Sequence, residues 1–305
     1  MASALPKTGP VALSANIAEY VNTKALRAGE IASDLVKISF DGPKVANQGF
    51  KPMIREGRFH ISELAMVSFL QARSVGKPLV LMPVPIMSRF QHHCISYNLE
   101  KTGGEIAPKQ IEGRRVGLRS YSQTTAMWVR AILKHEYGVD LGKIKWASYD
   151  PPHPAEVSDP GFVEKYVPDE RSVEQMLVDG AFDAAIIGGE IKNEPKIKTL
   201  IPDPHNQALK WYEKFGVVPV NHYLVVGAEL SRERPDVIAE LYRMVGESKK
   251  ANPLIAGGVD LLPMGYAANR KTIEAVIMYA NEQGLIDRRF DVDELFDDTT
   301  RKLGA

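Results

Sequence analysis

The sequence predicts an α/β protein built mainly on parallel strands and divided into two similar lobes. Three observations carry this. Short apolar segments alternate along the chain with longer stretches of helical periodicity. The order helix, Gly, x, Phe, strand occurs twice, in MIREGRFHISELA (53–65) and MLVDGAFDAAIIGG (176–189), with Gly180 and Phe182 in the places of Gly57 and Phe59. A Gly that closes a helix before a strand is also common in any α/β fold, so the echo reads either as related lobes or as shared turn chemistry. Finally, the chain has 305 residues, a length that suits about two domains.

In chain order, strands are expected at 11–14, 36–40, 59–64, 79–84 and 94–97. They continue at 115–118, 145–148, 184–187 and 217–226. Helices are expected at 44–56, 65–75, 123–137, 172–179, 205–215, 232–250 and 267–283. The helix at 172–179 opens on a capping box, Ser172 to Gln175, and carries an apolar stripe at Val173, Met176 and Leu177. Met127, Trp128 and Ile132 share a helical face and read as core. The segment 98–114 is polar and Gly-rich and reads as a connection between lobes. The Pro- and Asp-rich loop 149–171 is too long for an ordinary connector and reads as a flap or an insertion.

Composition narrows the function classes. The chain is 44% hydrophobic and 25% charged, as ordinary globular proteins are. Lys plus Arg and Asp plus Glu are 38 each, so no broad basic field exists to hold nucleic acid. Cys94 is the only cysteine, which excludes an intrachain disulfide and multi-thiolate zinc. The longest apolar run, PLVLMPVPIM (78–87), is too short to span a bilayer and contains three prolines. No membrane partner is expected. The N-terminal stretch lacks a basic start followed by a long apolar core, so a cytoplasmic protein is expected unless a leader has been removed. There is no GxGxxG and no phosphate-binding loop, so no nucleotide cofactor is expected.

The stretch most suggestive of a site is RSYSQTTAMWVRAIL (119–133), where a strand runs through hydroxyl-bearing residues into a helix. Tyr121, Ser122, Gln123, Thr124 and Thr125 there fit two readings. They cap the helix, or they form with its N–H groups a cradle for a carboxylate or phosphate. Glu63 ends an apolar strand, where a carboxylate is costly unless paired. His92 and His93 sit side by side in an expected strand, so only one faces any cleft. His222 lies in an apolar strand, and His153 in a PPHP loop expected at the surface. Arg89 offers a bidentate clamp or a bridge between lobes. Tyr20, Tyr121 and Tyr266 are candidates to line an aromatic pocket, or simply pack.

PKQIEGRRVGLRSYSQTTAMWVRAIL is similar to the start of the second lobe in type 2 periplasmic-binding-protein folds. Within that superfamily the chain resembles the 4,5-dihydroxyphthalate decarboxylase group. The resemblance rests on Tyr121, Thr124, Trp128 and Arg130 in the spacing YxxTxxxWxR, on RFHISELAM with Glu63, and on VVPVNHYLVV with His222. Its most specific block is GYAANRKTIEAVIMYANEQGLIDRRFDVDELF (265–296). One departure is visible in SRFQHHCISYN: Gln91 stands before His92, where the group tends to show an Arg close by.

The resemblance implies a two-lobed fold with two crossing segments and a ligand cleft. Residues 1–103 plus 218–305 would form the first lobe and 104–217 the second. It implies a cofactor-independent decarboxylase of a small hydroxylated aromatic carboxylate, with His92, His222 and Glu63 as catalytic candidates. Tyr20, Arg89, Tyr121, Ser122, Gln123, Thr124, Thr125 and Tyr266 would bind substrate. A metal held by His92, His222 and Glu63 has no local motif behind it, and none is expected. The alternative from another class is a solute-binding protein that delivers a small carboxylate or aromatic ligand to an importer. A thiamine-pyrimidine biosynthetic role would call for an iron-binding or Cys-rich tract that is absent from the sequence. A homo-oligomer stays open.

Overall fold

The computed structural model describes residues 5–166 and 170–304. Its strands form two main sheets. The first has the order β2-β1-β3-β11-β4, from β1 (Val11–Asn16), β2 (Val36–Ser39), β3 (Ile61–Ala65), β4 (Leu79–Ser88) and β11 (Val220–Gly227). The second has the order β10-β5-β9-β6-β7-β8. It comprises β5 (Ile95–Asn98), β6 (Arg115–Leu118), β7 (Lys145–Ser148), β8 (Glu164–Lys165), β9 (Ala184–Ile186) and β10 (Ile197–Thr199). Among the described residues ten α-helices accompany them: α1 (Lys24–Arg27), α2 (Phe50–Glu56), α3 (Met66–Ser74), α4 (Leu99–Thr102) and α5 (Thr124–His135), then α6 (Val173–Val178), α7 (Pro204–Phe215), α8 (Ala228–Glu233), α9 (Pro235–Ala251) and α10 (Tyr266–Glu282).

β1 pairs in parallel with β2 and β3, and β6 in parallel with β7 and β9. The chain leaves the first sheet after Ser88 and enters the second at β5; it leaves after Thr199 and returns at β11. These two returning strands are reversed. β5 is antiparallel to β9, and β11 is antiparallel to both β3 and β4. The segment 98–114 is not the crossing. Asn98 is in β5 and caps α4, which ends at Gly103 with φ 74. Its glycines serve a helix end, where only Gly takes a positive φ without strain. Both copies of the Gly-x-Phe echo behave alike: Gly57 closes α2 at φ 58, and Gly180 turns the chain after α6 at φ 77.

β4 runs on past the expected end at 84, through Pro83 and Pro85. It is an edge strand, the place in a sheet where proline is tolerated. Without two N–H groups its ladder with β11 is irregular, and the register shifts fall on either side of His222 and Tyr223. One apolar cluster spans both sheets, taking in Phe50, Met66 and Phe69 together with Trp128, Trp146 and Trp211. The face of α5 read as core is buried: Met127, Trp128 and Ile132 are all 0% exposed. Among the described residues no helix is long and apolar enough to cross a membrane.

Candidate functional site

β3 reads ISELA and every residue in it is buried, Glu63 included. Its neighbour β11 pairs Leu224 with Glu63 and His222 with Ala65. Glu63 and His222 therefore lie diagonally on one face, within reach of long side chains. Glu63 Oε2 accepts a hydrogen bond from His222 Nδ1 at 2.6 Å and another from the Tyr20 hydroxyl at 3.0 Å. Its Oε1 accepts from the Ala18 N–H at 2.7 Å. Three donors converge on one carboxylate that is 0% exposed, which is how a buried charge becomes tolerable.

This arrangement fixes His222. With Nδ1 held by Glu63, Nε2 is the ring atom without a protein partner among the described residues, and the side chain is 13% exposed. Phe50 packs edge-on against the imidazole with ring centres 5.2 Å apart. Tyr20 stays a phenol and a donor, because burial and then the neighbouring Glu63 charge push its pKa well above the usual range. Tyr20 also lines a groove of about 420 Å3 with Asn22, Ile86, Met87 and Ser88. Met87 is the β4 partner of His222, so the groove adjoins the Glu63–His222 pair.

His92 is placed differently from the expectation. Residues 91–94 form a turn, closed by the Cys94 N–H to the Gln91 carbonyl at 2.9 Å, and β5 begins only at Ile95. The alternation of a strand therefore does not apply to the two histidines. His92 is 0% exposed, packs edge-on to Trp211 at 6.1 Å, and among the described residues has no hydrogen-bond partner on either ring nitrogen. Burial, then the neighbouring His93, pushes its pKa down to about 4. His92 is not among the contacts of Glu63 or His222. His92, His222 and Glu63 are thus not brought together, and no cluster of three or more His, Cys, Asp or Glu among the described residues has the geometry to hold a metal.

At the junction 119–125 the cap reading is not met: among the described residues no side chain caps α5. Instead Thr124 Oγ1 accepts the Val67 N–H of α3 at 3.1 Å, and Thr125 Oγ1 accepts from Asn221 Nδ2 of β11 at 2.8 Å. Ser122 shares a hydrogen bond with Ser120 at 3.1 Å. The hydroxyls tie this helix start to elements of the first sheet. Gln123 is the N-cap residue, and its backbone N–H bonds to the Ser120 carbonyl.

Tyr121 is core. Its ring lies 3.8 Å from the Arg130 guanidinium, and its hydroxyl reaches the Gln283 carbonyl at 3.4 Å. Arg130 is 0% exposed and bonds to Gln283 and to the Tyr121 carbonyl, both at 2.7 Å. Three residues of the resembling motifs thus form one structural knot. Arg89 bridges the sheets through the Gly188 carbonyl. Tyr266 starts α10 among Arg270, Asp293 and Phe296, with no contact to Glu63 or His222.

The residue the sequence reading passed over is His153. It is half-buried rather than superficial: its Nδ1 lies 2.7 Å from the Ser68 hydroxyl of α3, and its ring packs edge-on to Phe50 at 5.5 Å. Phe50 thus carries both His153 and His222. Nothing local in PPHP signals this, because the contact joins a loop of one sheet to helices of the other.

The architecture defines a class first. With a TM-score of 0.57 over 95% of this chain and 99% of the other, the fold is that of the alkanesulfonate-binding protein SsuA from Xanthomonas axonopodis pv. citri, at 11% identity. That is the two-lobed periplasmic-binding-protein-like fold the sequence predicts. No family model matches the chain. In sequence it is similar to a protein of Comamonas testosteroni named 4,5-dihydroxyphthalate decarboxylase, 26% identical over 93% of this chain and 96% of that protein. A second of the same name, from Pseudomonas putida, is 27% identical over 66% of this chain and 81% of that one. The resemblance read from the motifs is borne out.

Proposed function

We propose that the protein is a cofactor-independent decarboxylase of a small hydroxylated aromatic dicarboxylate, with 4,5-dihydroxyphthalate as the substrate to test first. The observation that carries this is the His222–Glu63 pair, with the imidazole fixed at Nδ1 and Nε2 left for a ligand. The names of the two relatives support the substrate class. Two lobes would be defined by crossings at 89–94 and 200–219, so the first boundary falls earlier than residue 103.

In this reading a hydroxyl para to the departing carboxylate supplies electron density to the carbon that bears it. His222, as imidazolium, gives its Nε2 proton to that carbon. The C–C bond then breaks, its electron pair returns to the ring, and CO2 leaves. The proton gained balances the carboxylate lost, and the imidazole is reprotonated from solvent. Glu63 touches no substrate. It is a positioning residue that holds the ring orientation and faces the imidazolium. Tyr20 keeps Glu63 in place as a donor. We assign the proton to His222 rather than His92, because a buried imidazole with its pKa near 4 is neutral at pH 7 and has no proton of suitable acidity to give.

The test follows CO2 release from 4,5-dihydroxyphthalate by the wild type and by His222→Asn and His92→Asn. Loss of turnover by roughly 10²-fold or more in the first, with the second near wild type, is expected for removal of a general acid. Tight binding with no CO2 from the wild type would overturn the enzyme reading in favour of a solute-binding protein. Full activity in His222→Asn would move the proton elsewhere.

A further inference from the structure

The loop 149–163 carries a charge arrangement that the decarboxylation chemistry above does not use. Asp150 lies 3.4 Å from Lys51 Nζ of α2 and 3.8 Å from an Arg119 guanidinium nitrogen at the end of β6. Its N–H bonds to the Arg119 carbonyl at 2.8 Å, which fixes the carboxylate beside that residue. Three residues on, the His153 carbonyl accepts from Arg55 Nε at 2.9 Å, and its ring meets Ser68 and Phe50. Four charged groups act on the His153 imidazole: Asp150, Arg119, Lys51 and Arg55. Three are cations and one is an anion, so the charges acting on this imidazole are mainly positive. Lys51, Asp150 and Arg119 are all partly open to solvent, at 39%, 23% and 33% side-chain exposure.

We propose that His153, Arg119 and Lys51 form the subsite for the second carboxylate of an aromatic dianion, with Asp150 bridging the two cations until that carboxylate displaces it. The proposal rests on the decarboxylase reading for its placement beside His222 and deepens it by naming the group that selects a dicarboxylate. The geometry fits because Phe50 is shared: one edge contact leads to His222 and the other to His153. A ring whose carboxylate-bearing carbon meets His222 Nε2 would turn its second carboxylate toward His153, on the other side of the buried Phe50. Burial, with Arg119, Lys51 and Arg55 adding to it, pushes the His153 pKa down to about 4. At neutral pH the ring is therefore neutral. In the proposed subsite the tautomer is the one in which the Ser68 hydroxyl donates to Nδ1, so that the proton sits on Nε2 and donates to a carboxylate. Arginine adds a fork that matches a carboxylate bidentately.

The experiment measures calorimetric binding of phthalate and benzoate to the wild type and to His153→Asn, Arg119→Gln and Asp150→Asn. Phthalate carries both carboxylates without the hydroxyls, so binding is read apart from turnover. The expected result is phthalate binding weakened about 10-fold or more in His153→Asn and Arg119→Gln, with benzoate changed by less than about 3-fold. Asp150→Asn should instead tighten phthalate binding several-fold, because it removes the competing carboxylate; a merely structural role would not give that sign. Equal losses for phthalate and benzoate, unchanged or weaker phthalate binding in Asp150→Asn, or no phthalate binding by the wild type would each overturn the subsite. Arg119 is partly exposed, so Arg119→Gln serves if His153→Asn fails to fold. If the wild type discriminates phthalate as expected but releases no CO2 from 4,5-dihydroxyphthalate, the subsite stands and the decarboxylase reading falls. If it releases CO2 and the variants bind like wild type, the reverse holds.

Discussion

Glu63→Gln isolates the charge of Glu63 from its shape. All three partners of the carboxylate are donors: the Ala18 N–H, the Tyr20 hydroxyl and His222 Nδ1. A carboxamide has one acceptor oxygen and one NH2 group. The oxygen can stay with the Ala18 N–H, and the NH2 then faces His222 and Tyr20. Tyr20 can turn its hydroxyl proton away and accept. His222 can accept at Nδ1 only as the neutral tautomer with its proton on Nε2. The packing therefore survives, but the imidazolium does not have its counter-charge. A hydrogen bond to a charged group contributes about 1.5–3 kcal/mol. At 1.36 kcal/mol per factor of ten, this gives a loss of roughly 10- to 10²-fold in kcat. KM should change little, because Glu63 does not meet the substrate. The assay is CO2 release under saturating substrate, with a melting curve to confirm the fold. Glu63→Ala is the contrast: it strands three buried donors and should lower stability by about 3 kcal/mol or more. Wild-type kcat in a folded Glu63→Gln protein would refute the role given to the pair.

Thr124→Val removes the acceptor of the Val67 N–H and should cost about 1–3 kcal/mol in urea unfolding. His92→Leu should leave stability at pH 7 unchanged or higher, since neither ring nitrogen has a partner among the described residues. The same residue gives a pH signature. Its folded pKa of about 4 lies below the usual 6.5, so the unfolded chain binds the extra proton between those values. Native stability should fall as pH drops from about 6.5 to 4, and denaturation at pH 7 and 5 should show a smaller drop in His92→Leu. Gly117→Ala would drive a Cβ into the Phe182 ring, and should destabilise by about 1–3 kcal/mol in the same urea assay.

How much the sequence disclosed follows from how local each cause is. β6 and β7 were expected at 115–118 and 145–148 and occupy those residues, because alternation and flanking polar residues are properties of a short window. The helix expected at 232–250 is two, α8 and α9. Pro235 starts the second at its first turn, which a continuous periodic pattern hides. Glu63 was legible because an acidic residue in an apolar strand demands a partner. Its pairing with His222 was not, since β3 and β11 meet only after the chain has passed through the second sheet and returned. The histidine pair at 92–93 misled for the opposite reason. An apolar neighbourhood, FQHHCIS, suggested a strand, while the Gln91-to-Cys94 turn is set by where the chain crosses between sheets.

The hydroxyls at 122–125 bear on how the molecule works as well as on how it is read. A helix N-terminus with Ser and Thr at its edge is a general anion-binding feature. Here Thr124 and Thr125 instead receive N–H groups from α3 and β11, each reaching across from the first sheet. In the proposed subsite, a ligand carboxylate beside Lys51 and Arg119 replaces one carboxylate by another. The same exchange explains why the loop carrying Asp150 and His153 should be long. It must reach α2 and α3 to pair Asp150 with Lys51 and His153 with Ser68, and still yield Asp150 when a stronger dianion arrives. The donors that remain fixed, His222 on Glu63 and His153 on Ser68, then stand on either side of Phe50. The rigid strands position the proton, and the loop from the other sheet selects the charge that brings the ring to it.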